Sequence, residues 1–188
     1  MKMIKSIEEH CYEILEENSR VAFEVSLERL LNRRLKSSQQ LIILCIGSDY
    51  IVGDCLGPLV GYKLNSKHQH WIVYGDFDRT VQSANINEII QDINQKYENP
   101  FIIAIDSALC YDKMQIGNVR LRDGGLVPGI AFEKGLPYVG HISITGIINS
   151  KSSFEEFIQT TRMSLVMQLA DFIESGLSNT LIKMNLID

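Results

Sequence analysis

The sequence predicts a three-layer α/β/α sandwich on a mostly parallel sheet, and three observations predict it. Residues 41–46 (Leu-Ile-Ile-Leu-Cys-Ile) and 101–105 (Phe-Ile-Ile-Ala-Ile) are short, continuous apolar runs rich in β-formers. Such runs read as strands buried on both faces, as in a parallel sheet. Segments with helical apolar spacing alternate with them. The resulting order, strand–helix–strand–helix–strand, is that of a doubly wound sheet with right-handed crossovers. The chain has 188 residues, 45% of them hydrophobic, which is enough for one well-filled core. One domain is therefore expected, with a helical segment at 1–36, an α/β core at 37–176 and a tail at 177–188.

The elements follow in order. Ile4, Ile7, Cys11, Ile14 and Leu15 have helical spacing, and Ala22, Val25, Leu30 and Leu31 continue that helix or begin another near Asn18 and Ser19. Arg33, Arg34 and Lys36 stand where a helix C-terminus welcomes cations. After the run at 41–46 a helix is expected over about 56–64, a strand at 71–74 and a helix over 85–97 carrying Ile86, Ile89, Ile90 and Ile93. The run at 101–105 ends at Asp106. The stretch 117–140 holds Gly117, Gly124, Gly125, Gly129, Gly135 and Gly140 with Pro128 and Pro137, so it reads as a long shaped loop around a short strand at 118–121. A strand is expected at 141–145. Ser152 or Ser153, each three residues before a glutamate, opens a capping box. The helix that follows carries Phe154, Phe157, Ile158, Thr161, Leu165, Leu169 and Phe172 and stops at Gly176.

Composition excludes several classes. Charged residues make up 22% and the net charge is −5, too apolar and too weakly charged for disorder. The apolar stretch at 41–46 is far short of the roughly 18–20 residues that a membrane span needs. Lys2, Lys5, Glu8 and Glu9 break up any signal-peptide apolar region. The mild acidity argues against nucleic acid as a partner. Cys11, Cys45, Cys55 and Cys110 form no C-x-x-C pair and read as reduced thiols, which places the chain in the cytoplasm.

Ligands of open α/β sheets bind beyond the C-terminal ends of the strands. Asp54 lies in the turn after the first buried run, and Asp106 ends the second. If those two strands are neighbours, both carboxylates face one crevice. Two close carboxylates do not both ionise cheaply, and the pair becomes a general acid/base couple that activates water against an amide or ester. The plainer alternatives are a helix N-cap for Asp54 and an Asx turn for Asp106. Asp49, Asp76 and Asp78 are further strand-end acids. Asp106 precedes Ser-Ala, so the Asp-Thr-Gly or Asp-Ser-Gly signature of pepsin-like enzymes is absent. Lys113, Arg120 and Arg122 border the glycine-rich loop, where they would steer an acidic substrate or simply sit in solvent. His68 and His70 lie in a polar turn and read as solvated.

Three segments carry a resemblance: Cys45-Ile-Gly-Ser-Asp followed by Gly-Asp-Cys-Leu-Gly-Pro-Leu-Val-Gly61, Phe101-Ile-Ile-Ala-Ile-Asp-Ser-Ala-Leu109, and Val139-Gly-His-Ile-Ser-Ile-Thr-Gly-Ile147. They resemble the YyaC-type sporulation proteins, which are similar to the germination protease of spore-forming bacteria and more remotely to hydrogenase maturation endopeptidases. The resemblance spans about 22–177 and implies a phosphorylase/hydrolase-like α/β/α fold. It also implies an atypical aspartic peptidase in which Asp54 and Asp106 match the two essential aspartates. On this reading Asp49, Gly124, Gly125, Gly129 and His141 line the substrate cleft, with 85–90 as a further rim. The glycine-rich loop offers backbone N–H groups to an oxyanion. No cofactor and no resident metal is expected. The substrate would be a protein or peptide such as the small acid-soluble spore proteins, in the forespore or spore core. Two apolar helices make a homodimer an expectation.

His141 stands where an aspartate is more usual in the YyaC-type proteins. The hydrogenase endopeptidases hold a metal with two acids and a histidine, which Asp54, Asp106 and His141 would imitate. A thiol nucleophile at Cys55 with His141 as base is the weakest alternative. A catalytically inactive relative that binds a sporulation component through the same cleft is the remaining one.

Overall fold

Strand β2 (Gln40–Cys45) stands at the centre of the molecule because its side chains alternate between two apolar layers. Leu41, Ile43 and Cys45 face one layer, Ile42 and Leu44 the other, and all five are buried. The computed structural model describes residues 8–128, 138–151 and 160–186. Around β2 it assembles β1 (Glu9–Glu13), β3 (Val73–Tyr74), β4 (Pro100–Cys110), β5 (Asn118–Arg122) and β6 (Ile142–Ser150). The sheet order is β1-β5-β6-β4-β2-β3. Strands β3, β2, β4 and β6 run parallel, while β5 is antiparallel to β6 and to β1. The sheet is thus mixed and mostly parallel, as the two continuous apolar runs require.

Helices cover the two faces unequally. On one face lie α1 (Ser19–Arg34), α2 (Leu56–Lys67) and α4 (Met163–Lys183). Phe23 and Leu27 of α1, Val60 and Leu64 of α2, and Leu169 and Ile173 of α4 join Ile43, Ile103 and Ile144 of the sheet in one core. On the other face α3 (Ile86–Lys96) brings Ile86 and Ile93 onto Ile42, Leu44, Ile102 and Ala104. No helix among the described residues covers β6, β5 and β1 on that side. Their residues there are polar: Ser143 and Thr145, then Arg120 and Arg122 in register with them, then Glu9 and Cys11.

Two sequence expectations give way here. The helical spacing at 4–15 does not produce a helix in its described part: residues 9–13 form edge strand β1, paired with β5 from Glu9↔Arg122 to Glu13↔Asn118. Backbone pairing and burial of Tyr12 against Phe23, ring centroids 5.5 Å apart, override a periodicity that few residues define. Gly176 does not stop the last helix, because α4 continues to Lys183 and the expected tail from 177 is mostly helix. The glycine serves close packing instead: a Cβ there would lie 2.6 Å from the Phe23 ring of α1. The described helix opens at Met163, with Thr161 ahead of it, and the capping-box serines lie outside the described residues. Since α1 and α4 pack on each other and on the sheet, the apolar faces that suggested a second copy are used within the chain.

His68 also differs from the solvated reading. Its ring stacks on Trp71 at 3.9 Å and its Nε2 lies 2.9 Å from Ser178 Oγ. Ser178 donates to Glu174, a carboxylate only 2% exposed that Lys67 Nζ approaches to 2.6 Å. This network ties the end of α2 to α4, and burial pushes the His68 pKa down. No helix among the described residues is long and apolar enough to cross a membrane.

Candidate active site

The chain turns out of β2 through Gly47, whose φ of +142° belongs to glycine. A Cβ on Gly47 would lie 2.1 Å from the Asp54 carbonyl oxygen, and one on Gly57 would lie 2.0 Å from the Ile46 carbonyl oxygen. Both glycines therefore let the segment 52–57 fold back onto the end of β2. The Ser48 N–H donates to the Asp54 carbonyl (3.1 Å), and the Asp54 N–H donates to Ile51 (2.9 Å). A short 3₁₀ turn, Val52–Cys55, then leads into α2.

β4 lies beside β2 in register from Gln40↔Pro100 to Cys45↔Ile105, and the Ile46 N–H continues the ladder to the Ile105 carbonyl at 2.7 Å. The next residue of β4 is Asp106. β2 leads through α2 to β3 on one side, whereas the strand on its other side is β4, reached through α3. The crevice where β2 ends beside β4 is therefore the topological switch point, where ligands of such sheets bind, while β4 itself continues along β6 to Cys110. Asp54 on its folded-back turn and Asp106 on β4 both belong to this end.

Their surroundings differ. Asp106 is 7% exposed, paired through its backbone with Thr145 of β6, and its Oδ1 accepts the Ser107 N–H at 2.7 Å. Asp54 is half-buried. Burial pushes its pKa up, and hydrogen bonding from the Ser48 hydroxyl and backbone pulls it partly back. Asp54 makes no side-chain cap on α2, which sets aside the N-cap alternative.

The other predicted residues do not gather here. Asp49 is near, exposed on the loop after β2. His141 is not: its N–H donates to the Ile102 carbonyl at 2.7 Å, its Nδ1 accepts the Ile102 N–H at 3.0 Å, and its ring stacks on Phe101. Ile102 is four residues before Asp106, so about 13 Å of strand separates them. Burial pushes the His141 pKa down, with the Arg34 charge adding to it. Gly124 and Gly125 also sit at that opposite end, because β5 runs antiparallel to β6 and delivers the chain to the start of β6. There the Gly125 carbonyl accepts from Ser143 Oγ, and Leu126 pairs with Val139. Gly129 lies outside the described residues. Asp76 is tied into a turn, its Oδ1 taking the N–H groups of Asp78 and Arg79 and its Oδ2 the Asn65 amide.

Among the described residues no three His, Cys, Asp or Glu side chains gather closely enough to hold a metal ion. The Cys55 thiol donates to the Ile51 carbonyl, and burial with Asp54 and Asp49 nearby pushes its pKa up, opposite to what a nucleophile needs. Sequence reasoning missed the exposed apolar rim at this end of the sheet. Tyr50 follows β2, and Tyr111 and Met114 follow β4, each about 85% exposed. Their positions four, six and nine residues past an apolar run were the available signal.

A family model described as "Protein of unknown function (DUF1256)" matches residues 14–176. This chain belongs to the DUF1256 family. It is 40% identical over 149 residues to "Uncharacterized protein YyaC" of Bacillus subtilis (strain 168), covering 78% of this chain and 72% of that protein. Among solved structures it is similar to a NiFe hydrogenase maturation protease HycI from Thermococcus kodakarensis KOD1. That match has a TM-score of 0.48 and 18% identity, and covers 82% of this chain and 99% of that one. The segments with both aspartates fall within the DUF1256 match.

Proposed function

We propose that this DUF1256 protein is a sporulation-associated peptidase that hydrolyses peptide bonds with Asp54 and Asp106. The observation that supports the reading is that both acids lie just past the end of β2, Asp54 on the turn that folds back onto it and Asp106 on β4 next to Ile105, the last β4 residue in register with β2. The raised pKa of Asp54 supports its part as the proton donor to the leaving amine. Asp106, held in orientation by the Ser107 N–H, takes the proton from the attacking water. The exposed Tyr50, Tyr111 and Met114 around this end suit a polypeptide that presents apolar side chains. The resemblance of the aspartate motifs to those of the germination protease supports small acid-soluble spore proteins as the substrate and the forespore as the place.

Incubation of the chain with such proteins, read by mass spectrometry with and without a chelator, tests this. Chelator-resistant cleavage at defined bonds is expected. A well-folded chain that cleaves none of them, but captures one stably whatever stands at position 54, would establish the binding-protein alternative.

A further inference from the structure

The half of the sheet that no described helix covers carries two arginines that are treated differently. Arg120 is directly across from Thr145, which is directly across from Asp106, so all three share one face. Arg122 lies one two-residue step away, across from Ser143 and then Ala104 on the same face. Two strand spacings and that step put Arg122 about 12 Å from Asp106 in backbone terms, three or four residues of extended peptide.

Arg120 is satisfied: its Nε lies 3.4 Å from Glu9 and its Nη2 donates to Gln115 at 3.1 Å. Arg122 has no such partner among the described residues, and its Nε is buried without a hydrogen bond. The acids that should neutralise it are engaged elsewhere. Glu9, its cross-strand neighbour, turns to Arg120, while Asp123, next in the chain, is held by Arg33 and Arg34. A buried guanidinium N–H without an acceptor is costly, and a carboxylate meets its fork geometry best.

We propose that Arg122 holds a carboxylate of the polypeptide substrate, on the same sheet face as Asp106. This rests on the peptidase reading and adds to it a preference for substrates with an acidic side chain or a free C-terminus near the cleaved bond.

The test follows the Arg122 Nε–H resonance by NMR while three five-residue alanine peptides are titrated into the full chain. One is capped at both ends with a central glutamate, the second is its glutamine counterpart, and the third is the glutamine peptide with a free C-terminus. The resonance should move saturably with the first or third peptide, which identifies the carboxylate, and the neutral peptide should bind at least tenfold more weakly. Arg122→Gln should remove that preference. No movement, or equal movement with the neutral peptide, overturns the proposal. Mass spectrometry of the same samples reads cleavage separately: a shift without cleavage removes the peptidase reading and leaves the carboxylate site standing.

Discussion

The two faces of the sheet are built to different ends. One is sealed by α1, α2 and α4 over an uninterrupted apolar core, with Gly176 letting the Phe23 ring rest against the α4 backbone. On the other, α3 is the helix among the described residues that covers β2 and the first half of β4, Leu126 and Val139 join that core, and the face carries polar residues from Asp106 across β6, β5 and β1. The first face supplies most of the apolar core, and on the proposed peptidase reading the second supplies the chemistry. The aspartates stand where the sealed part ends, so the acid on β4 is buried against a firm scaffold while its neighbours on one side stay polar.

Substitutions sharpen that contrast. Phe23→Ala, on the sealed face, should cost most, about 3–5 kcal/mol in denaturant unfolding. Ile93→Ala on α3 should cost about 2–4 kcal/mol. Equal or reversed losses at these two positions would break the idea that one face dominates stability. Asp54→Asn should act in the opposite direction. Burial raises the Asp54 pKa, so the stability it contributes is full below the ordinary carboxylate range and is lost as pH rises through the raised value. The variant carries no such charge. It should melt higher than wild type at neutral pH, by a margin that shrinks as the pH is lowered, and a lower melting temperature at pH 7 would contradict the burial. Thr145→Ala on the open half should change stability least, within about 0.5 kcal/mol, by the same unfolding measurement.

Much of the sealed architecture was legible in the residues. The runs at 41–46 and 101–105 are apolar at every position because both faces of β2 and β4 are covered there, and such strands announce themselves. Asp106 was expected to end its strand and does not: β4 continues to Cys110 through its pairing with β6, and no apolar run marks that extension in the sequence. Edge strand β1 was not legible either. It buries Tyr12 alone, so its apolar spacing carried no period-2 signal, and its identity depends on pairing with β5 about a hundred residues away. Gly176 misled because a helix-ending glycine and a close-packing glycine look alike without the partner ring. His141, Gly124 and Gly125 were grouped with the acids through the family resemblance, and the sequence does not say at which end of the sheet each falls. The antiparallel course of β5 sends all three to the far end.

The most direct test of the account measures kcat/KM on one cleaved peptide for Asp54→Asn, Asp106→Asn and the double variant. Two carboxylates working as one acid/base unit predict a loss of at least about 100-fold in each single variant, and a double variant no worse than the poorer single. Losses that multiply in the double variant, or full activity in either single variant, would show that the two aspartates do not form the catalytic pair.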